Sequence, residues 1–207
     1  MPSPNNAVDG RIPARQVSPF ERGKASRVVS VTMHDRERWD AVYSGRRVCE
    51  PALPAAFAAH ETVFPASGTA LDIACGQGAA AVWLARRGLD VLGVDASVVA
   101  IEQARALAAG TTARFTVVDL DDGLPAGPAV DVLLCHRFRD PRLYRAFVDR
   151  LKPGGLLAIC VLSEVGGSPG PFRAVAGELG RAFTELEPIA AGEGDGESWL
   201  LARRPPN

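Results

Sequence analysis

An α/β fold is what this sequence predicts: a mostly parallel sheet covered by helices on both faces. Three observations predict it. Short apolar runs of strand length alternate with helical patterns from about residue 71 to about residue 181. The first run lies in 70–78, ALDIACGQG, and breaks into a glycine turn before AAAVWLARRG, which reads as a helix. Near the C-terminus, two strand-like runs flank the acidic, glycine-rich GEGDG, which suits a hairpin and adds an antiparallel strand at one edge.

The elements follow in order. Residues 1–32 are polar and rich in Pro, Gly, Ser and Arg, with neither helical nor strand period, so they read as a flexible N-terminal tail. Met33 is the only methionine after Met1, which leaves open a translation start there. Residues 33–207 form the expected domain. RERWDAVYSG is a short amphipathic helix with Trp39 and Tyr43 at i, i+4. Residues 51–63 give a second helix, with Pro51 and Pro54 near its start. Residues 71–74 are a strand and 79–87 a helix ended by Gly88. Residues 91–94 are a strand, and Ser97 caps a helix that runs to Ala109, with Gly110 after it. Residues 114–118 and 130–135 are strands. Residues 142–151 are a helix with apolar Leu143, Phe147, Val148 and Leu151. LKPGG then turns into a strand over 156–162. A helix near 172–181 and strands over about 183–190 and 199–203 complete the chain.

Composition excludes several classes. The 207 residues suffice for one domain with a two-sided core. Apolar residues make up 47% and charged ones 23%, the balance of a globular protein. A net charge of −1 offers no global attraction for nucleic acid or an acidic membrane. No apolar run approaches the ~20 residues of a membrane helix, and no secretory h-region is present. The expected location is therefore the cytoplasm, as monomer or homodimer. Cys49, Cys75, Cys135 and Cys160 form no CxxC pair and no metal-like spacing with the three histidines. Reduced thiols and no metal are the expectation. Cys75 lines the glycine turn, with no base near it in sequence.

In open α/β sheets a ligand sits beyond the carboxyl ends of the strands, at the switch point. The polar residues expected there are Asp72, Asp95, Asp119, His136, Ser163 and Glu164. Asp95 stands 17 residues past Gly78, close to the ~20 of an acid that binds ribose hydroxyls. Gly76 to Ala81 also satisfies GxGxxG/A, so a dinucleotide enters consideration. Asp72 argues against it, since a pyrophosphate turn wants no carboxylate beside it. S-adenosylmethionine (SAM) instead carries an α-amino group, a ribose and an adenine, and no phosphate.

Over about 36–204 the sequence resembles the class I SAM-dependent methyltransferases, in their small-molecule and tellurite-resistance-like branch. DIACGQG resembles the family's glycine motif, with Ala74 in place of its first glycine. GVDAS resembles the acidic ribose motif, VVDLDD the adenine-edge motif, and LKPGG the turn before the fifth strand. WDAVY resembles the N-terminal helix of tellurite- and thiopurine-methylating members. The resemblance implies a Rossmann-like, doubly wound seven-stranded sheet of order 3-2-1-4-5-7-6, with one antiparallel edge strand. It implies SAM as cofactor. Asp72 would orient the methionine amine, beside Ala74 and Cys75, with Gly76 and Gly78 admitting the backbone. Asp95 and Ala96 would meet the ribose, and Asp119 and Leu120 the adenine. Asp72 and Asp95 also fit capping acids, and Asp119 an ordinary acidic turn. Trp39 and Tyr43 either cover the cofactor or pack their helix.

Methyl transfer needs alignment of the nucleophile and exclusion of water, with a base only when the nucleophile is protonated. His136 is the expected base, or a hydrogen-bond partner of SAM or of the next loop. Glu164 is a poorer candidate, in a glycine-rich segment that reads as a mobile substrate loop. The basic run HRFRDPRLYR either receives an anion or forms a solvated helix face. A small-molecule substrate is favoured over nucleic acid. The rivals are a SAM-binding protein without transferase activity and an NAD-dependent oxidoreductase.

Overall fold

The computed structural model describes residues 33–47 and 49–206, so the expected tail over 1–32 lies outside the described residues. Seven strands form one sheet: β1 (Gly68–Ile73), β2 (Leu89–Asp95), β3 (Arg114–Val117), β4 (Val130–His136), β5 (Leu151–Leu162), β6 (Glu187–Gly194) and β7 (Glu197–Arg203). Their order is β3-β2-β1-β4-β5-β7-β6, as the resemblance implies. The first five strands are parallel. β7 runs antiparallel to both β5 and β6, so it sits one place in from the edge.

Strand alternation sorts the apolar side chains into two cores. Leu71, Ile73, Leu133, Cys135, Leu157 and Ile159 face one way, against α4 (Tyr144–Arg150) and α5 (Glu178–Ala182). Ala70, Val91, Leu134, Ala158 and Cys160 face the other, against α2 (Ala79–Arg86) and α3 (Val98–Leu107). Phe57 and Phe64 close this second core from the segment before β1. The N-terminal helix α1 (Met33–Ser44) packs on α3. Ser97 caps α3 as expected, its Oγ accepting from the Ala100 N–H at 3.1 Å.

Four expectations change. The segment Ala55–Val63 is a 3-10 helix kinked at His60 rather than an α-helix. LKPGG belongs to β5: Gly154 N–H donates to Arg204 O, and Arg204 N–H to Gly155 O, both at 2.8 Å, so the chain end zips the turn into the sheet. The helix expected near 172–181 shrinks to Glu178–Ala182, because Gly177 at φ +68° opens it and Arg173 turns back on Gly170. The strand expected over 183–190 is shifted to Glu187–Gly194. Phe183 and Leu186 are instead drawn into the first core from tight turns after α5.

Candidate functional site

The chain reverses its direction across the sheet between β1 and β4, so the carboxyl ends of β1, β2 and β4 surround the switch point. Asp72 lies in register with Gly93 of β2 and Leu134 of β4, on the face covered by α2. It is buried, and its Oδ2 has no hydrogen-bond partner, the single such side-chain atom among the described residues. Burial, then the charge of Asp95, push its carboxyl up to about 8, against the lowering effect of the Ala81 N–H. A buried carboxyl oxygen without a donor costs free energy that a bound cationic donor would recover.

Asp95 is buried beside it and accepts from the N–H groups of Gly76 and Ser97, each at 2.9 Å. Burial raises its pKa, while those N–H groups and that of Ala96 oppose the rise. The Val118 N–H donates to Asp95 O at 2.9 Å and so ties the β3 end to the same cluster. Half-buried Cys75 stands within the field of both acids; burial first, then Asp72 and Asp95, push its thiol well up. It is held as a neutral thiol.

The turn after β1 takes left-handed backbone at alternate residues: Ala74 (φ +53°), Gly76 (φ +52°) and Gly78 (φ +78°). Ala74 is the residue with a Cβ to strain there. A Cβ on Gly76 would lie 2.7 Å from the Tyr43 Oη, so α1 rests directly on the turn. Asp40 clasps it in place. Its Oδ1 accepts from Ser97 Oγ at 2.5 Å and from the Val99 N–H at 3.2 Å. Gln77 donates to Gln103, which donates to Tyr43 O, a second tie at 2.9 and 3.2 Å. Tyr43 is half-buried against the turn, while Trp39 is exposed outside it, their rings 6.1 Å apart. Burial and the nearby Asp95 push the Tyr43 phenol up.

The remaining expected residues divide. Asp119 is half-buried and caps a short 3-10 turn, Leu120–Asp122, accepting from the Asp121 N–H at 3.1 Å. Leu120 is buried with Leu71, Ile73 and Val94 in the first core. His136 ends β4 and is half-buried; burial, then Arg137, lower its pKa, with Glu197 opposing, so the ring is neutral at neutral pH. Ser163 is buried and accepts from the Val165 N–H. The loop beside Glu164 is tied down. Gly196 N–H donates to Val165 O, and Arg173 reaches Ser163 O at 2.7 Å. The basic run is paired throughout: Arg137 with Glu197, Arg139 with Glu178, Arg142 with Asp140 and Asp121, Arg145 with Asp149 and Glu185.

Two contributors were not singled out from the sequence. Asp40 lies in WDAVY, yet its target on α3 is 57 residues away. Glu197 closes on His136 and Cys160 across β7, and one ligand atom from each lies within 4.8 Å of the others.

Comparisons with known proteins bear on the fold. Residues 70–155 match a family model described as a methyltransferase domain. A ubiquinone biosynthesis O-methyltransferase from Cereibacter sphaeroides is 37% identical over 101 residues, which cover 45% of this chain and 41% of that protein. The match thus spans well under half of that relative. Among solved structures, TehB from Haemophilus influenzae has a TM-score of 0.66 at 18% identity, covering 80% of this chain and 67% of TehB. A SAM-dependent methyltransferase from Mesorhizobium loti has a TM-score of 0.63 at 18% identity, covering 73% of this chain and 98% of that one. The fold is that of the class I SAM-dependent methyltransferases.

Proposed function

We propose that this chain moves a methyl group from SAM to a small-molecule nucleophile, acting from the carboxyl edge of β1, β2 and β4. The observation that carries this reading is the orphaned Oδ2 of buried Asp72, on β1 beside the switch point of a methyltransferase fold. An ammonium group is the donor that fits it. Bound SAM supplies a methyl group on a sulfonium, whose positive charge already activates the leaving thioether.

The chain's own residues then bind, orient and exclude water. Asp72 accepts from the α-amino group. Asp95 offers its carboxylate to ribose hydroxyls while its bonds to Gly76 and Ser97 hold the turn open. Asp119, already fixed by the Asp121 N–H, stands for the adenine edge. Tyr43, held by the Asp40 clasp, shields the glycine turn. Neutral His136 is available to take a proton from a hydroxyl, amine or thiol acceptor. The O-methyltransferase relative favours a hydroxyl acceptor. A dinucleotide fits poorly, because its pyrophosphate would face two buried carboxyl groups. No helix among the described residues is long and apolar enough to cross a membrane.

Calorimetric titration with SAM, S-adenosylhomocysteine and NAD tests the cofactor. A methyl-transfer screen over small hydroxyl, amine, thiol and carbon nucleophiles tests the reaction. SAM binding and S-adenosylhomocysteine release with one acceptor class are expected. Tight NAD binding without SAM binding would overturn the reading.

A further inference from the structure

His136 at the end of β4 is in register with Cys160 of β5, and Cys160 with Trp199 of β7. Glu197 precedes Trp199 by two residues, so strand alternation brings its side chain to the same face. The geometry points to a binding site for a single thiophilic divalent ion, zinc foremost, held by His136, Cys160 and Glu197. Their ligand atoms all lie within 4.8 Å of one another, on three adjacent strands of one rigid sheet. A tetrahedral zinc site with Zn–S near 2.3 Å and Zn–N or Zn–O near 2.0 Å spaces its ligands by about 3.3–3.8 Å. Contraction by about 1 Å closes the site, within the reach of the half-exposed Glu197 side chain.

The surroundings are arranged for it. Cys160 Sγ and Glu197 Oε2 now face each other at 3.8 Å across the thiol hydrogen. An ion takes the place of that proton, which passes to solvent. Thiolate and carboxylate then balance the ion's two charges, and imidazole completes the set, so His136 serves as a proton acceptor only in the metal-free protein. Arg137 holds the other carboxylate oxygen, Oε1, at 2.8 Å and so serves as an outer partner that orients the ligand. Arg137 itself is forced to φ +58°, with its N–H on Cys160 O at 2.7 Å. Left-handed backbone at so bulky a residue is found where a site is held in place against strain. A thiolate in the set selects zinc-like ions over magnesium or calcium. Three protein ligands leave one position open, as in catalytic rather than structural zinc sites.

Cobalt(II) titration of the tag-free full-length protein tests the site independently of SAM or methyl transfer. The result expected is one cobalt per chain, a thiolate-to-cobalt charge-transfer band, strong four-coordinate visible absorption, and displacement by zinc. Cys160→Ser should abolish the charge-transfer band, and Cys49→Ser should leave it. Glu197→Gln, which alters no core residue, should weaken zinc binding at least tenfold. Circular dichroism on each variant confirms the fold. Absence of the band in the parent protein, its survival in Cys160→Ser, or unchanged zinc affinity in Glu197→Gln would each overturn the proposal.

Discussion

The two halves of the sheet's carboxyl edge treat charge in opposite ways. At the β1–β2 end, Asp72 and Asp95 are buried together, met by backbone N–H groups, and one oxygen of Asp72 meets nothing. Towards β4, β5 and β7, acids meet arginines. Arg139 grips Glu178 with two bonds of 2.7 Å, Tyr144 adds a third at 2.9 Å, and Arg137 grips Glu197. Paired acids are part of the fold. The buried acid left short of a donor is where we propose that the cationic end of the ligand binds. In the run HRFRDPRLYR, basic in sequence, each arginine is paired with a neighbouring carboxylate.

The largest expected effect comes from emptying the unpaired side. Asp95→Ala removes the acceptor for two N–H groups, costing about 2–4 kcal/mol of stability by leaving buried donors unmet. It should also weaken SAM at least tenfold. Calorimetry and a thermal melt read both, and unchanged SAM affinity would put the ribose elsewhere. Breaking the paired side should cost stability alone. Arg139→Ala strands Glu178 beneath Tyr144, for a loss of about 2–3 kcal/mol with SAM affinity intact. A large fall in SAM affinity in that variant would erase the contrast between the two ends.

A pH series sharpens the comparison further. The folded-state pKa of Asp72, about 8, lies above its unfolded value, so folding favours the protonated carboxyl. That contribution is full below about pH 4 and is lost as pH rises towards 8. Asp72→Asn should therefore flatten the alkaline fall in melting temperature of the ligand-free protein and raise it at pH 8. A variant that melts lower at pH 8 would contradict the burial account. The smallest effect belongs to the turn. Ala74→Gly relieves a left-handed Cβ worth about 1 kcal/mol, offset in part by glycine's greater unfolded entropy. A gain of a few tenths of a kcal/mol in denaturant unfolding is expected. Clear destabilisation would show that the Ala74 methyl group packs usefully.

The legibility of the molecule follows the range of its interactions. ALDIACGQG, Asp95 and the Ser97 cap were readable because a glycine turn, a strand end and an N-cap are local. The strand order came with the motifs. The 172–181 segment misled because its apolar spacing suits a helix, while Gly177 in left-handed backbone delays the helix to Glu178–Ala182. Phe183 and Leu186 read as strand residues yet serve the core from turns. The Asp40 clasp and the His136–Cys160–Glu197 cluster join residues from different elements, so no single stretch of sequence announces them.

The central claim is that Asp72 waits for a cation. Calorimetry of SAM binding near pH 7, in two buffers of different ionisation enthalpy, measures it directly. The parent protein should release close to one proton as the ammonium group converts Asp72 to its carboxylate, and Asp72→Asn should bind at least tenfold more weakly with no such release. Equal affinity and equal proton release in the two proteins would contradict the account.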